Sequence, residues 1–196
     1  MASTGDRIIV ATNELFRRHG YNGTSLSQIS EASGATIGSI YHFFPGGKEA
    51  LGVAVIDSTG EIYRQLFEAI VAEAPDPATA YSEFFTAAAV VLEESDFIDP
   101  CPIGGIAREV ANTNEPLRIA ARNAFDSWIA AAQDHLTAVG ISSKNAQELA
   151  YVFVSTVEGT FVLSRTLRNT KPLTAAGRHL TEMVRQAINE ETSSRT

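Results

Sequence analysis

Residues 34–51 read GATIGSIYHFFPGGKEAL. Four glycines, three aromatic rings, one proline and one lysine share this short stretch. A packed helix disfavours so many glycines, and a flexible loop has no use for Ile40, Tyr41, Phe43 and Phe44. The stretch reads instead as a short helix between two sharp breaks. Gly34 stops the helix before it, Thr36 stands where an N-cap belongs, and the new helix runs to about His42. Pro45-Gly46-Gly47 then breaks the chain, and Lys48 opens a long helix.

Working outward, Ile8, Ile9, Ala11, Leu15 and Phe16 give a first amphipathic helix that ends at Gly20. Ser25 starts the second, with Gln28 at capping-box spacing and Leu26, Ile29 and Ala32 as its buried stripe. Two short helices joined by a tight glycine-containing turn form a helix-turn-helix, whose second helix is the one that enters a DNA major groove. Ile40 and Phe44 are expected to face inward, because a helix of two turns is stable only when packed. Gly38 leaves backbone bare where a side chain would hold the helix off the base edges. Tyr41 and His42 carry polar tips suited to phosphate oxygens. Gly46, Gly47 and Lys48 are expected to offer free amides and a cation as a phosphate anchor.

The rest of the chain also reads as helix. Leu51, Ala54, Val55, Ile62, Leu66, Ala69 and Ile70 keep one face of the Lys48 helix apolar until Pro75, a length of roughly 40 Å. Helices are expected at Ala78–Glu94, about Gly104–Asn112, Pro116–Val139, from Ser142 or Ser143 to about Thr170, and Leu173–Asn189. SDFIDPCPIGG (95–105) reads as an extended irregular segment and ETSSRT as a frayed tail. No segment alternates with the period of a strand. The expected fold is all-α, with a helix-turn-helix domain over residues 1–47 and a larger helical domain over 48–196.

Composition bounds the function. The chain of 196 residues is 44% apolar with mean hydropathy near zero, the profile of a globular protein. The start lacks the basic and apolar regions of a secretory signal, and the apolar stretch 149–163 is too short to cross a bilayer. One cysteine, Cys101, excludes an internal disulfide. The cytoplasm is the expected location. Residues 1–50 carry four basic and four acidic side chains, so the whole net charge of −8 lies beyond them. The first quarter is therefore the region that least repels a polyanion. GGK is not a nucleotide phosphate loop: His42 occupies the first glycine position and Glu49 follows the lysine. His19, His42, His135 and His179 have no metal-ligand spacing, and no cofactor motif is present.

The ordered set His19-Gly20-Tyr21, Thr24-Ser25, Gly38-x-x-Tyr41 and Phe44-Pro45 before Lys48 resembles the TetR family of bacterial transcriptional repressors, over residues 7–55. CPIGGIAREVA (101–111) resembles the branch of that family containing the LmrA and YxaF regulators. The resemblance implies a homodimer with two DNA-binding heads and a small-molecule-binding body, its last two helices forming a four-helix bundle with their mates. It places Thr24, Ser25, Thr36, Ile37, Gly38, Ser39, Tyr41, His42 and Lys48 at operator DNA. Thr36, Ile37 and Ser39 are expected to set sequence preference, and Tyr41 and Lys48 to hold phosphate. Ile37 departs from the lysine or arginine frequent there in the family. A contact is either missing or replaced by apolar contact with a thymine methyl.

Helix 145–170 is apolar nearly all round: Leu149, Val152, Phe153 and Thr156 on one side, Ala150, Val154, Val157 and Phe161 on another. That pattern fits either a dimer seam, with Val157 and Leu180 in it, or a central core helix. Phe84, Phe85, Phe97, Cys101, Phe125, Trp128 and Tyr151 are candidates to line a ligand cavity, with Glu158 or Arg108 as polar handles. The same residues also suit a plain core. The segment 95–103 is a candidate gate, and the long helix from Lys48 a lever between ligand and head. Two rival classes remain on the sequence alone. One is a small helical enzyme using Cys101 with His135 or His179, although nothing in the spacing brings them together. The other is a relative without strong DNA binding that acts through protein contacts.

Overall fold

Ser3, Ser25 and Thr36 each hold an extended backbone and accept a hydrogen bond from an amide three residues on, at Asp6, Gln28 and Ser39. The Asp6 and Gln28 side chains reach back to the Ser3 and Ser25 amides, completing two capping boxes. These caps start α1 (Thr4–His19), α2 (Leu26–Ser33) and α3 (Ile37–Phe43). Gly34 ends α2 in the left-handed conformation, at φ 65°, where a side chain would be strained. The computed structural model describes residues 3–98 and 101–193, and all regular structure among them is helical. Six more helices follow: α4 (Lys48–Glu73), α5 (Thr79–Glu94), α6 (Pro102–Val110), α7 (Glu115–Ala138), α8 (Ser143–Leu167) and α9 (Lys171–Ser193).

The chain divides into two compact units, Met1–Glu61 with Cys101–Ala124, and Ile62–Pro100 with Phe125–Thr196. Helices α4 and α7 contribute to both. In the first unit Ile8, Ile29, Ala35, Ile40 and Leu51 form the core, with Leu15, Leu26 and Phe44 packed against it. Ile40 is fully buried, which stabilises a seven-residue helix by about 1.5–3 kcal/mol. Gly52 lets α4 approach α7 closely, since a Cβ there would lie 2.6 Å from Leu117 Cδ2.

The second unit is centred on aromatic rings. Phe67, Tyr81, Phe84, Phe85 and Phe153 pack with centroid separations of 5.1–6.1 Å, in mostly edge-on or tilted pairs. His135 joins them at 6.0 Å from the Tyr81 ring, and its Nε2 lies 3.3 Å from the Pro77 carbonyl oxygen. Burial pushes the His135 imidazole below its ordinary range, and the Pro77 contact opposes that shift. Helix α9 presses on α5 at Gly177, where a Cβ would meet Phe85 Cβ at 2.9 Å.

Several sequence expectations need correction. Ala32 is exposed, and Ser33 is the buried residue of that turn, its hydroxyl donating to the Ile29 carbonyl at 2.7 Å. Ile62, Leu66 and Ala69 face outward, because the buried face of α4 follows Ile56, Thr59, Gly60 and Phe67. Helix α6 begins at Pro102, earlier than expected, since proline at the first turn loses no helical hydrogen bond. Glu191–Ser193, read as tail, are the last turn of α9. Asp99, Pro100 and residues 194–196 lie outside the described residues. Of the expected gate, residues 95–98 are fastened. Arg168 donates to the Asp96 carbonyl (2.9 Å) and carboxylate (2.6 Å), and stacks 4.9 Å from the Phe97 ring centroid. Arg165 Nε also donates to the Phe97 carbonyl at 3.3 Å.

Helix α8 buries Ala150, Phe153, Val154, Val157, Thr160, Phe161 and Ser164 within its own unit. Leu180 is likewise buried on α9. Val157 and Leu180 are therefore core residues of one chain and not seam residues. The exposed apolar positions of α8 are Tyr151, Val152, Val162, Leu163 and Leu167, a separate stripe on the side of the helix opposite its buried face.

Candidate nucleic-acid interface

Helix α3 has one buried side chain and an open face. Ile40 points into the core, while Ile37, Gly38, Tyr41, His42 and Phe43 are exposed. The Thr36 cap holds Ser39 twice, accepting from its amide at 3.1 Å and sharing a hydrogen bond of 2.9 Å between the two hydroxyls. A Cβ added at Gly38 would meet only Thr36 Oγ1, at 3.7 Å, so nothing in the fold requires glycine there. Phe43 stands edge-on to His42 at 5.1 Å and lies 3.4 Å from the position of a Cβ at Gly5. Its exposure is thus partial packing on α1.

Tyr41 leans along the turn that follows α3: a Cβ at Gly47 would lie 3.1 Å from its ring. The Gly47 amide, expected to be free, donates to the Phe44 carbonyl at 2.8 Å, because the turn closes on itself. Lys48 holds its ammonium 4.4 Å from the centroid of Tyr21, a cation–π arrangement. Partial burial lowers its pKa, and the Glu109 charge works the other way. Arg17 and Arg18 both pair with Glu14, at 3.2 and 2.6 Å.

Thr24 does not belong to this surface. It is 2% exposed, and its hydroxyl donates to the Gly20 carbonyl at 2.8 Å, so it closes the turn between α1 and α2. Ser25 is exposed, with its oxygen occupied in the capping box.

Sequence reasoning missed the residue that fastens this turn from outside the helix-turn-helix. Glu109 on α6 accepts from the Tyr21 amide at 3.1 Å and the Asn22 amide at 2.7 Å. Asn114 forms a second link in the same unit, donating to Glu49 at 2.6 Å while its Oδ1 accepts from the Leu117 amide. Local patterning carries no signal for either, since the partners lie 88 and 65 residues apart.

The candidate ligand residues do not gather at one place. Cys101 is buried in the first unit, whereas Phe85, Phe97, Phe125, Trp128, Tyr151 and Glu158 belong to the second. Phe125 and Trp128 form an edge-on pair at 5.4 Å, with Tyr63 5.9 Å from the Trp128 ring. Phe85 lines a groove of about 300 Å³ between α5 and α9 with Gly177 and Thr181. Phe97 lies under Arg168, and Tyr151 is half exposed on the outer stripe of α8, not in the interior. Arg108 is exposed and Glu158 half-buried. Phe67 and Tyr81, which the sequence did not single out, form the centre of the aromatic cluster with Phe153, expected only as part of an apolar helix face. Their recurrence on the inward face of three helices was the signal available. The Tyr81 hydroxyl is buried without a hydrogen-bond partner, and burial pushes its pKa up. Cys101 and the two candidate histidines, His135 and His179, fall in different units.

Among the described residues no group of side chains is placed to hold a metal ion, and no helix is long and apolar enough to cross a membrane. Residues 8–55 match the family described as bacterial regulatory proteins, tetR family, and residues 77–179 match the transcriptional regulator LmrA/YxaF-like C-terminal domain. The HTH-type transcriptional regulator YxaF of Bacillus subtilis is 34% identical over 95% of this chain and 99% of its own length. LmrA of the same organism is 34% identical over 86% of this chain and 89% of its own. A crystal structure of a TetR transcriptional regulator from Legionella pneumophila superposes with a TM-score of 0.83 at 24% identity, covering 93% of this chain and 98% of that one, and so shares the fold. The capped helix-turn-helix with its bare recognition face, followed by an LmrA/YxaF-like body, makes this chain a member of the TetR family of DNA-binding transcriptional regulators.

Proposed function

We propose that the chain is a cytoplasmic transcriptional repressor that binds double-stranded operator DNA as a homodimer and is released by a small apolar ligand. In this reading residues 1–47 read DNA, and residues 48–196 bind the ligand and dimerise. The observation that carries it is Gly38. An exposed glycine in the first turn of a seven-residue helix costs up to about 1 kcal/mol relative to alanine, and the fold has room for a side chain there. The requirement for a bare backbone therefore comes from outside the fold, as the close approach of α3 to a groove floor demands. Tyr41 and Lys48 border this face and serve the phosphates, with Ser25 and His42 beside them; Thr36, Ile37 and Ser39 face the bases.

Support for the dimer is the outer stripe of α8. Tyr151, Val152, Val162, Leu163 and Leu167 are exposed at helical spacing, with Met183 exposed on α9. Exposed apolar surface on this scale is characteristic of an interaction site. Support for an apolar ligand is the aromatic interior of the second unit, where the unpartnered Tyr81 hydroxyl is a donor that an oxygen-bearing ligand would satisfy. Helix α4 spans 26 residues, roughly 39 Å. A tilt of such a rod shifts its ends by several ångströms, and a ligand that prefers the tilted state would displace DNA. Coupling of this kind is reciprocal, so operator must weaken ligand binding by the same factor.

Gel-shift on fragments of the source genome tests the DNA-binding reading: a subset of fragments should shift at concentrations where random DNA does not. Equal retention of every fragment, or of none, would overturn it. Thermal-shift screening of apolar metabolites, followed by titration with and without operator, tests the release mechanism. Equal ligand affinity in the two titrations would refute it.

A further inference from the structure

We infer that Ile37 is a base-reading residue that recognises the C5-methyl group of a thymine, so that each half-site carries a thymine where α3 begins. The inference rests on the DNA-binding reading above and extends it to sequence preference. The open face of α3 lacks the side chains that read purines by paired hydrogen bonds. Ile37–Phe43 contains no arginine or lysine to bind guanine O6 and N7, and no asparagine or glutamine to bind adenine N6 and N7. Gln28, the amide side chain of α2, lies outside α3, and its Oε1 is committed to the cap, accepting from the Ser25 amide at 2.8 Å. The Thr36 and Ser39 hydroxyls are bonded to each other, and Thr36 also holds the Ser39 amide. Tyr41 leans toward Gly47 at the other end of the helix, next to Lys48.

What remains at the start of α3 is an aliphatic side chain, 40% exposed, beside a glycine. The fold gains little from isoleucine at this position, because the core contact of the helix is made by Ile40. In the major groove the thymine methyl is the apolar group of the base edges, and Ile37 is the apolar group that α3 presents at that end. Gly38 allows the approach that brings the two into van der Waals contact.

The test uses the full chain and a duplex obtained by binding-site selection from a random library. Thymines are replaced by deoxyuridine position by position, first in one half-site and then in both, which removes the methyl and leaves every hydrogen-bonding group in place. Affinity is read by fluorescence anisotropy. Removal of the critical methyl should weaken wild-type binding about four-fold for one half-site and about fifteen-fold for both, the effect of one buried methyl each. Ile37→Ala should bind the thymine and deoxyuridine duplexes equally, while Ile37→Val keeps most of the difference. Because Ile37 lies outside the core cluster, both variants should remain folded at the assay temperature, as circular dichroism would show. A selected motif with no methyl-sensitive position, or an Ile37→Ala chain that keeps the full deoxyuridine penalty, would overturn this inference and leave the DNA-binding reading standing. A chain that selects no sequence at all would overturn both.

Discussion

The carboxylate of Glu109 sits 2.7 Å from the backbone amide of Asn22, at the turn that joins the first two helices. Its other oxygen accepts from the Tyr21 amide, so one side chain of α6 holds the turn by two hydrogen bonds. Gly20 makes this geometry accessible. Its φ of 75° disfavours any side chain, and a Cβ there would collide with Glu109 Oε1. Tyr21 in turn carries Lys48 on its ring face. A residue far along the sequence thus sets the position of the lysine that we assign to phosphate.

Glu109→Ala should destabilise the chain by about 1–3 kcal/mol, the range for losing hydrogen bonds to a charged acceptor at a partly exposed site. Gly20→Ala should cost more, from strain together with the collision. In the double variant the collision is absent, so the two losses should sum to less than their separate values. Urea unfolding of the four proteins checks this. Strictly additive losses would mean that Gly20 and Glu109 are not in contact in solution.

Gly38→Ala should raise stability by up to about 1 kcal/mol, because the fold accommodates the methyl and alanine favours helix. The same substitution should weaken operator binding at least ten-fold by holding α3 off the groove. Opposite changes in melting temperature and affinity are the signature. Unchanged affinity would remove the observation on which the functional reading depends.

Lys48→Ala should weaken all DNA sites by a similar factor and reduce the salt dependence by about one unit of slope. Because burial lowers the Lys48 pKa, its contribution should fade at lower pH than an exposed lysine's would as pH rises. Anisotropy titrations across salt and alkaline pH measure both effects. A change in which sequence is preferred would contradict the phosphate assignment.

Val162→Arg and Leu163→Arg should yield folded monomers, because both side chains are exposed on the outer stripe of α8. Val157→Arg and Leu180→Arg, by contrast, bury a charge inside one chain and should unfold it. Sedimentation velocity with circular dichroism separates the two outcomes. A wild-type monomer at micromolar concentration would remove the dimer from the account.

The parts legible in the sequence were those governed by neighbours within four residues. Ser25 with Gln28, Thr36 and Gly34 declared the limits of α2 and α3 because capping chemistry is local. What eluded the sequence was facing and long-range closure. Ile62, Leu66 and Ala69 look as apolar as Phe67, and only packing decides that Phe67 turns inward. The two apolar sides of α8 were visible, but assigning Val157 to the seam required knowing that its own unit covers it. Thr24 looked like a polar surface residue because its acceptor, the Gly20 carbonyl, appears only once the turn has formed. Glu109 had no local pattern at all, since its partners belong to a turn 88 and 87 residues earlier.

Hydroxyl-radical footprinting on a selected fragment, with the stoichiometry of the same complex read by sedimentation, tests whether two α3 helices of a dimer read one operator. Two chains per fragment are expected, with two protected patches on one face of the duplex, centred a helical turn of about 34 Å or a whole multiple of it apart. Protection should be lost with Gly38→Ala and reduced with Val162→Arg. A single chain protecting a single patch, or two chains without that spacing, would contradict a dimer that reads its operator with two α3 helices.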